Sequence, residues 1–173
     1  MVEIPSLLSA VSPDRETDYL AAAEAQVRAY CGWHIAPVVM QDLVLDGSGT
    51  KSLFVRTLKL VTVTAAEVDG ETIDPTTLEW SEAGFIRAPG IWVDKLRSVK
   101  LTVTHGFESV PDVAEIVRAV AARATASPTG VVREQAGAVS IGFSLTAPGV
   151  SGGVVLMDHE RRMLDRYRLP GRF

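Results

Sequence analysis

One cysteine, Cys31, stands alone among 173 residues. A lone thiol forms no intrachain disulfide and no multi-thiolate metal site, a usage consistent with a reducing, cytosolic origin. It is expected as a small apolar residue closing a helix rather than as a reactive group. Basic charge is also scarce: 17 lysines and arginines face 21 acids, a net charge of −4. That balance lacks the excess with which proteins gather phosphates, so tight DNA binding is disfavoured as the main function. No apolar run is long enough to span a bilayer, and no membrane partner is expected. The opening stretch carries Glu3 without a basic n-region, so it does not read as a secretory signal.

Catalytic patterns are wanting too. His34, His105 and His159 are far apart and share no ligand spacing such as His-Glu-x-x-His. Asp46-Gly47-Ser48-Gly49 has an acid where a nucleophile elbow needs glycine, and a strand rather than a helix follows, so a turn is the better reading. Gly149-Val150-Ser151-Gly152-Gly153 lacks the lysine and hydroxyl residue of a phosphate loop. Asp112 and Glu115 sit where acids favour a helix start, not where a catalytic pair is needed. The chain is therefore expected to be no enzyme and to carry no metal or cofactor.

What is present is ordinary globular material, 47% apolar and 22% charged. Folding at this length buries about 70% of the unfolded surface, enough for one domain. Ser12-Pro13-Asp14 reads as a helix start, and Leu20, Ala23, Val27, Tyr30 and Cys31 form an apolar stripe with Glu24, Gln26 and Arg28 facing elsewhere. Gly32 closes this helix over 12–32. Between 37 and 106 β-branched runs alternate with turn clusters, and Asp69-Gly70 is a type I′ hairpin signal. A second hairpin is expected around Gly84. Pro111 opens a helix over 110–127 whose face is Val113, Ile116, Val117, Val120, Ala121 and Ala124.

A glycine-rich arm follows over 128–155, with a strand expected from Val139 to Phe143. Asp158 is expected to cap a last helix over 157–169, where Met163, Leu164 and Tyr167 line a narrow apolar edge beside Arg161, Arg162, Arg166 and Arg168. Such a basic face is either a solvated surface or an interface anchor, since arginine and tyrosine are enriched in binding hot spots. The fold class is α+β: a small helical core of three helices, a strand-rich insertion and a long arm, all in one domain over 1–173. The helical part is thin for a core of its own, which invites burial against other copies.

An ordered set of short motifs runs through nearly the whole chain: Val27-Arg28-Ala29-Tyr30-Cys31-Gly32-Trp33-His34-Ile35-Ala36-Pro37, Leu45-Asp46-Gly47-Ser48-Gly49, Val68-Asp69-Gly70, Trp80 to Gly84, Val103-Thr104-His105-Gly106-Phe107 with Val110-Pro111, Ser127 to Gln135, and Leu164 to Pro170. Each alone is a turn or a cap. In this order and spacing the set resembles the head-to-tail adaptors of tailed bacteriophages, of the actinobacteriophage type. The resemblance implies a virion protein of the neck, one subunit of a ring, commonly a dodecamer, beneath the portal protein. Its partners would be the portal, other copies of itself and the next neck or tail-completion protein. DNA would pass through the channel without tight binding, and assembly would occur in the host cytoplasm. Under this resemblance Arg161, Arg162, Arg166, Tyr167 and Arg168 are candidates for portal contact. Arg133, Glu134 and Gln135 are candidates for contacts of the arm with neighbouring subunits. Two other readings compete: a β-sandwich module binding carbohydrate or peptide through Trp80 and Trp92, and a hydrolase or nuclease, for which the spacing is poor.

Overall fold

The computed structural model describes residues 15–126, 133–136, 139–142 and 153–171, with side chains described for 19–126 and 153–171. The expected Ser12-Pro13 helix start and the Gly149 to Gly152 loop lie outside the described residues. The chain is α+β and divides into two compact units, one made chiefly of Gly32–Ser109 and the other of Ser6–Cys31 with Val110–Arg168.

The first unit is built from seven strands: β1 (Val39–Leu45), β2 (Ser52–Phe54), β3 (Leu60–Val68), β4 (Glu71–Ile73), β5 (Glu79–Trp80), β6 (Phe85–Arg87) and β7 (Val99–His105). They form two antiparallel sheets of order β1-β7-β3-β4 and β2-β6-β5. Period-two alternation makes β7 central: Val99, Leu101, Val103 and His105 are buried while Lys100 is exposed. Leu53 and Ile86 of the smaller sheet and Val55 just after β2 join Leu60, Val63, Leu101, Val103 and the fully buried Trp92 in one core. The Trp92 indole donates to Lys51 O at 3.1 Å, which satisfies its single polar group.

Turn chemistry fixes the connections. Asp69 and Gly70, at φ 52° and 92°, join β3 to β4, as a type I′ hairpin requires. Gly84 joins β5 to β6 at φ 85°, and a Cβ there would lie 2.3 Å from Val55 O. Asp46-Gly47-Ser48-Gly49 clasps the segment from Trp92 to Ser98. Asp46 Oδ1 accepts the Arg97 N–H at 2.8 Å, Gly47 N donates to Lys95 O at 3.0 Å and Gly49 N to Trp92 O at 2.7 Å. The motif is thus a loop held by that segment and followed by the strand β2, rather than a nucleophile elbow.

The second unit contains α1 (Arg15–Cys31), α2 (Pro111–Ala126), the hairpin strands β8 (Arg133–Ala136) and β9 (Val139–Gly142), and α3 (Asp158–Leu164) followed by a 3-10 turn (Asp165–Tyr167). All six apolar positions expected on the α2 face are buried. α1 packs against α2 and ends as expected at Gly32, φ 82°. Two expectations are corrected. Glu24 does not face away from the core but is 5% exposed, paired with the half-buried Arg28 at 3.6 Å. The N-cap of α3 is Met157 rather than Asp158, and the helix ends at Leu164. Asp158 lies in the first turn, while Glu160 reaches back to accept the Met157 N–H at 2.8 Å. The arm contains a β8–β9 hairpin, whose second strand falls where Val139 to Phe143 was expected.

Candidate interaction site

The arginine-bearing segment is anchored into its own unit through α3 and the turn after it. Glu160 is 3% exposed, and its carboxylate receives Arg123 Nη1 and Nη2 at 2.7 and 2.8 Å as well as the Met157 N–H. Arg123 also donates to Val155 O at 3.1 Å. One guanidinium on α2 thus fixes both the start of α3 and the chain entering it. A bidentate pair of this kind combines geometric specificity with charge-assisted bonding. Its only signal in the sequence is the three-residue offset from Met157 to Glu160, the spacing of a half capping box.

Farther along, the 3-10 turn ties α3 to the other two helices. Tyr167 Oη donates to both Asp112 oxygens, at 3.0 and 3.1 Å, and Arg166 bonds the same carboxylate. Burial alone would push the Asp112 carboxyl up, but the donors from Arg166 and Tyr167 outweigh it and hold the group below its ordinary value. Burial, followed by the bond to Asp112, raises the Tyr167 phenol. On α1, Tyr30 Oη donates to Asp165 Oδ1 at 2.6 Å, and the Arg168 guanidinium sits 5.1 Å from the Tyr30 ring centroid. Buried Leu164 supplies the apolar contact of this end, whereas Met163 is 48% exposed.

The five candidates therefore fall into two groups. Arg166, Tyr167 and Arg168 each have an intrachain partner. Arg161 and Arg162 point outward on α3: Arg161 makes only a 3.8 Å pair with Asp158, and Arg162 has no ion pair among the described residues. Arg133, Glu134 and Gln135 occupy β8, paired with β9; their side chains lie outside the described ones.

In the β unit, two sequence-distant motifs meet. His34 and His105 stack edge to face at 4.4 Å, while the Trp33 and Phe107 centroids are 5.8 Å apart. His105 Nε2 bonds Gln41 Oε1 at 3.0 Å and His34 Nε2 bonds Pro37 O at 3.1 Å. Phe107 N donates to Ile35 O at 2.8 Å. Gly106, φ 115°, allows this crossing, because a Cβ there would lie 2.5 Å from Pro37 O. Burial, and then the neighbouring His34, push the His105 imidazole down to about 4. Both histidines are buried, so the pair packs a junction and offers no access to a substrate.

Of the two tryptophans considered as a binding platform, Trp92 is fully buried. Trp80 is 40% exposed and, with Phe85, Glu79 and Arg87, lines an open groove of about 300 Å³. Among the described residues no three His, Cys, Asp or Glu side chains gather as metal ligands, and no helix is long and apolar enough to cross a membrane.

No protein-family model and no curated protein sequence matches the chain. Its fold is nevertheless similar to that of solved chains. One, from the neck of a native gene transfer agent particle with C12 symmetry, has a TM-score of 0.59 at 15% identity, with 91% of this chain and 84% of that one covered. A second, from the neck of an empty particle with C6 symmetry, gives 0.56 at 15% identity, covering 96% and 83%. A third, from the virion of the native particle, gives 0.57 at 16% identity, covering 95% and 82%.

Proposed function

We propose that this chain is a non-enzymatic structural subunit of a phage-type neck, a head-to-tail adaptor of the actinobacteriophage type that forms a ring beneath a portal protein and surrounds the DNA exit channel. The observation that carries the reading is the fold it shares with gene transfer agent neck and virion chains over at least 91% of its length. The motif resemblance points independently to the same part of a virion.

The division among the arginines sharpens the portal assignment. Arg166, Tyr167 and Arg168 hold the terminal turn in place, and Arg161 and Arg162 are the side chains this rigid platform presents. Pre-organised support of that kind lowers the ordering cost of binding. In the same reading Arg133, Glu134 and Gln135 belong to the arm that reaches a neighbouring subunit. The net charge of −4 suits a channel through which DNA slides without being held.

The test is reconstitution. Full-length chain mixed with its portal protein should give ring-on-portal particles in electron micrographs, and a double Arg161→Glu, Arg162→Glu chain should keep its circular-dichroism spectrum while losing them. Absence of a complex with the unaltered chain under any assembly condition would refute the adaptor reading. The groove beside Trp80 favours a second reading, a carbohydrate- or peptide-binding module. Glycan or peptide-array binding that disappears with Trp80→Ala would support that instead.

A further inference from the structure

We propose that the outer edge of β1 receives a strand from a neighbouring copy of this chain, and that the strand is β9 of the arm hairpin. The inference rests on the ring reading above and names the contact that would close the ring.

Among the described residues β1 stands at the end of its sheet and pairs only with β7. It is seven residues long, about 23 Å at the usual rise. Its pairing with β7 runs from Val39↔His105 to Leu45↔Val99 without a shift, so no bulge turns the edge away. Val-Met-Gln-Asp-Leu-Val-Leu contains no proline, lysine or glycine, and its one charge, Asp42, is engaged by the Thr102 hydroxyl of β7 at 2.7 Å. Among the described residues no backbone group outside the sheet bonds to it. Half of its amides and carbonyls therefore face outward without a strand partner, and Met40 and Val44 are 65% and 48% exposed beside them. Proteins ordinarily shorten, charge or kink such an edge because it templates strand addition. The opposite edge has that protection: β4 is three residues long and begins with Glu71.

The chain also holds a strand pair with the converse deficit. β8 and β9 form a two-stranded sheet that no third strand joins among the described residues. A lone hairpin is marginally stable in water, and strand addition supplies what it lacks. β9, Val139-Ser140-Ile141-Gly142, is uncharged and carries two β-branched residues, whereas β8 carries Arg133 and Glu134. Edge and hairpin belong to separate sheets among the described residues, and pairing between copies would satisfy both. It is a head-to-tail contact between unlike surfaces, which generates rings when the rotation closes.

Hydrogen exchange on full-length chain, free and in rings assembled on its portal protein, tests the contact without any substitution. Amides of Val39–Leu45 should exchange about tenfold more slowly or better in the ring. Mixed chains that each carry Cys31→Ala and one new cysteine, Asp42→Cys in one and Ser140→Cys in the other, should form disulfide-linked pairs on oxidation of the ring. Rings in which β1 stays unprotected, or is protected without cross-linking between copies, overturn the inference and leave the ring standing. Failure to form rings at all overturns both.

Discussion

Replacing Arg123 by methionine removes two bonds from a carboxylate that has almost no access to water. Glu160 is 3% exposed, while the Arg123 side chain is 22% exposed. Breaking one partner of a buried pair costs 3–5 kcal/mol, because the remaining charge keeps its desolvation penalty. Partial access of water to the arginine places the expected cost near the lower bound, about 3 kcal/mol. Glu160 also loses its fixed position for the Met157 N–H, so the entry to α3 should fray first. Urea denaturation followed by circular dichroism reads this as a midpoint lowered by about 1–2 M at an unchanged slope. The double variant Arg123→Met, Glu160→Leu should recover most of the loss, since an apolar pair of similar volume carries no stranded charge. A single substitution costing under about 1 kcal/mol, or a double variant less stable than either single one, would refute the account.

Acid should weaken the β unit through His105. Its folded value near 4 lies below the ordinary 6.5, so the unfolded chain binds the proton more tightly between those values. The stabilisation is complete above pH 6.5 and is lost as pH falls toward 4, about 2–3 kcal/mol between pH 7.5 and 4.5. His105→Gln should flatten that pH dependence whatever its own baseline cost, and an unchanged slope would count against burial of the neutral ring. Gly47→Ala would bring a Cβ within 1.6 Å of Val93 O, whereas Gly70, φ 92°, has open space around it. The first change should cost about 3 kcal/mol or more and the second about 1 kcal/mol of backbone strain, as melting curves would reveal. Equal costs would contradict the clasp around Trp92. Burial pushes the Cys31 thiol up to about 12, so the folded chain should resist a thiol reagent that modifies it quickly in urea.

Local chemistry was enough to read much of this fold. Gly32, Asp69-Gly70 and Gly84 carry positive φ where turns were expected, and Pro111 opens a helix whose apolar face follows its 3.6-residue period. The strands were legible because alternation and β-branched runs mark them. Asp158 is a good cap by composition, yet Glu160 reaches back from within the helix and places the boundary one residue earlier, at Met157. Glu24 falls outside the stripe of Leu20, Ala23 and Val27, yet its partner Arg28, one turn on, lets it lie inside.

Partners distant in the chain were beyond any periodicity. The sequence by itself determined the elements, the turns and the scarcity of catalytic or phosphate-gathering chemistry, since each depends on a residue and its near neighbours. Tertiary structure alone decided that Val39 lies opposite His105, that Glu160 meets Arg123, and that three of five arginine-end candidates are spent within the chain. The reason is physical: hydrogen bonds and ion pairs are satisfied by whatever the packed chain brings within about 3 Å, and sequence separation places no constraint on that distance.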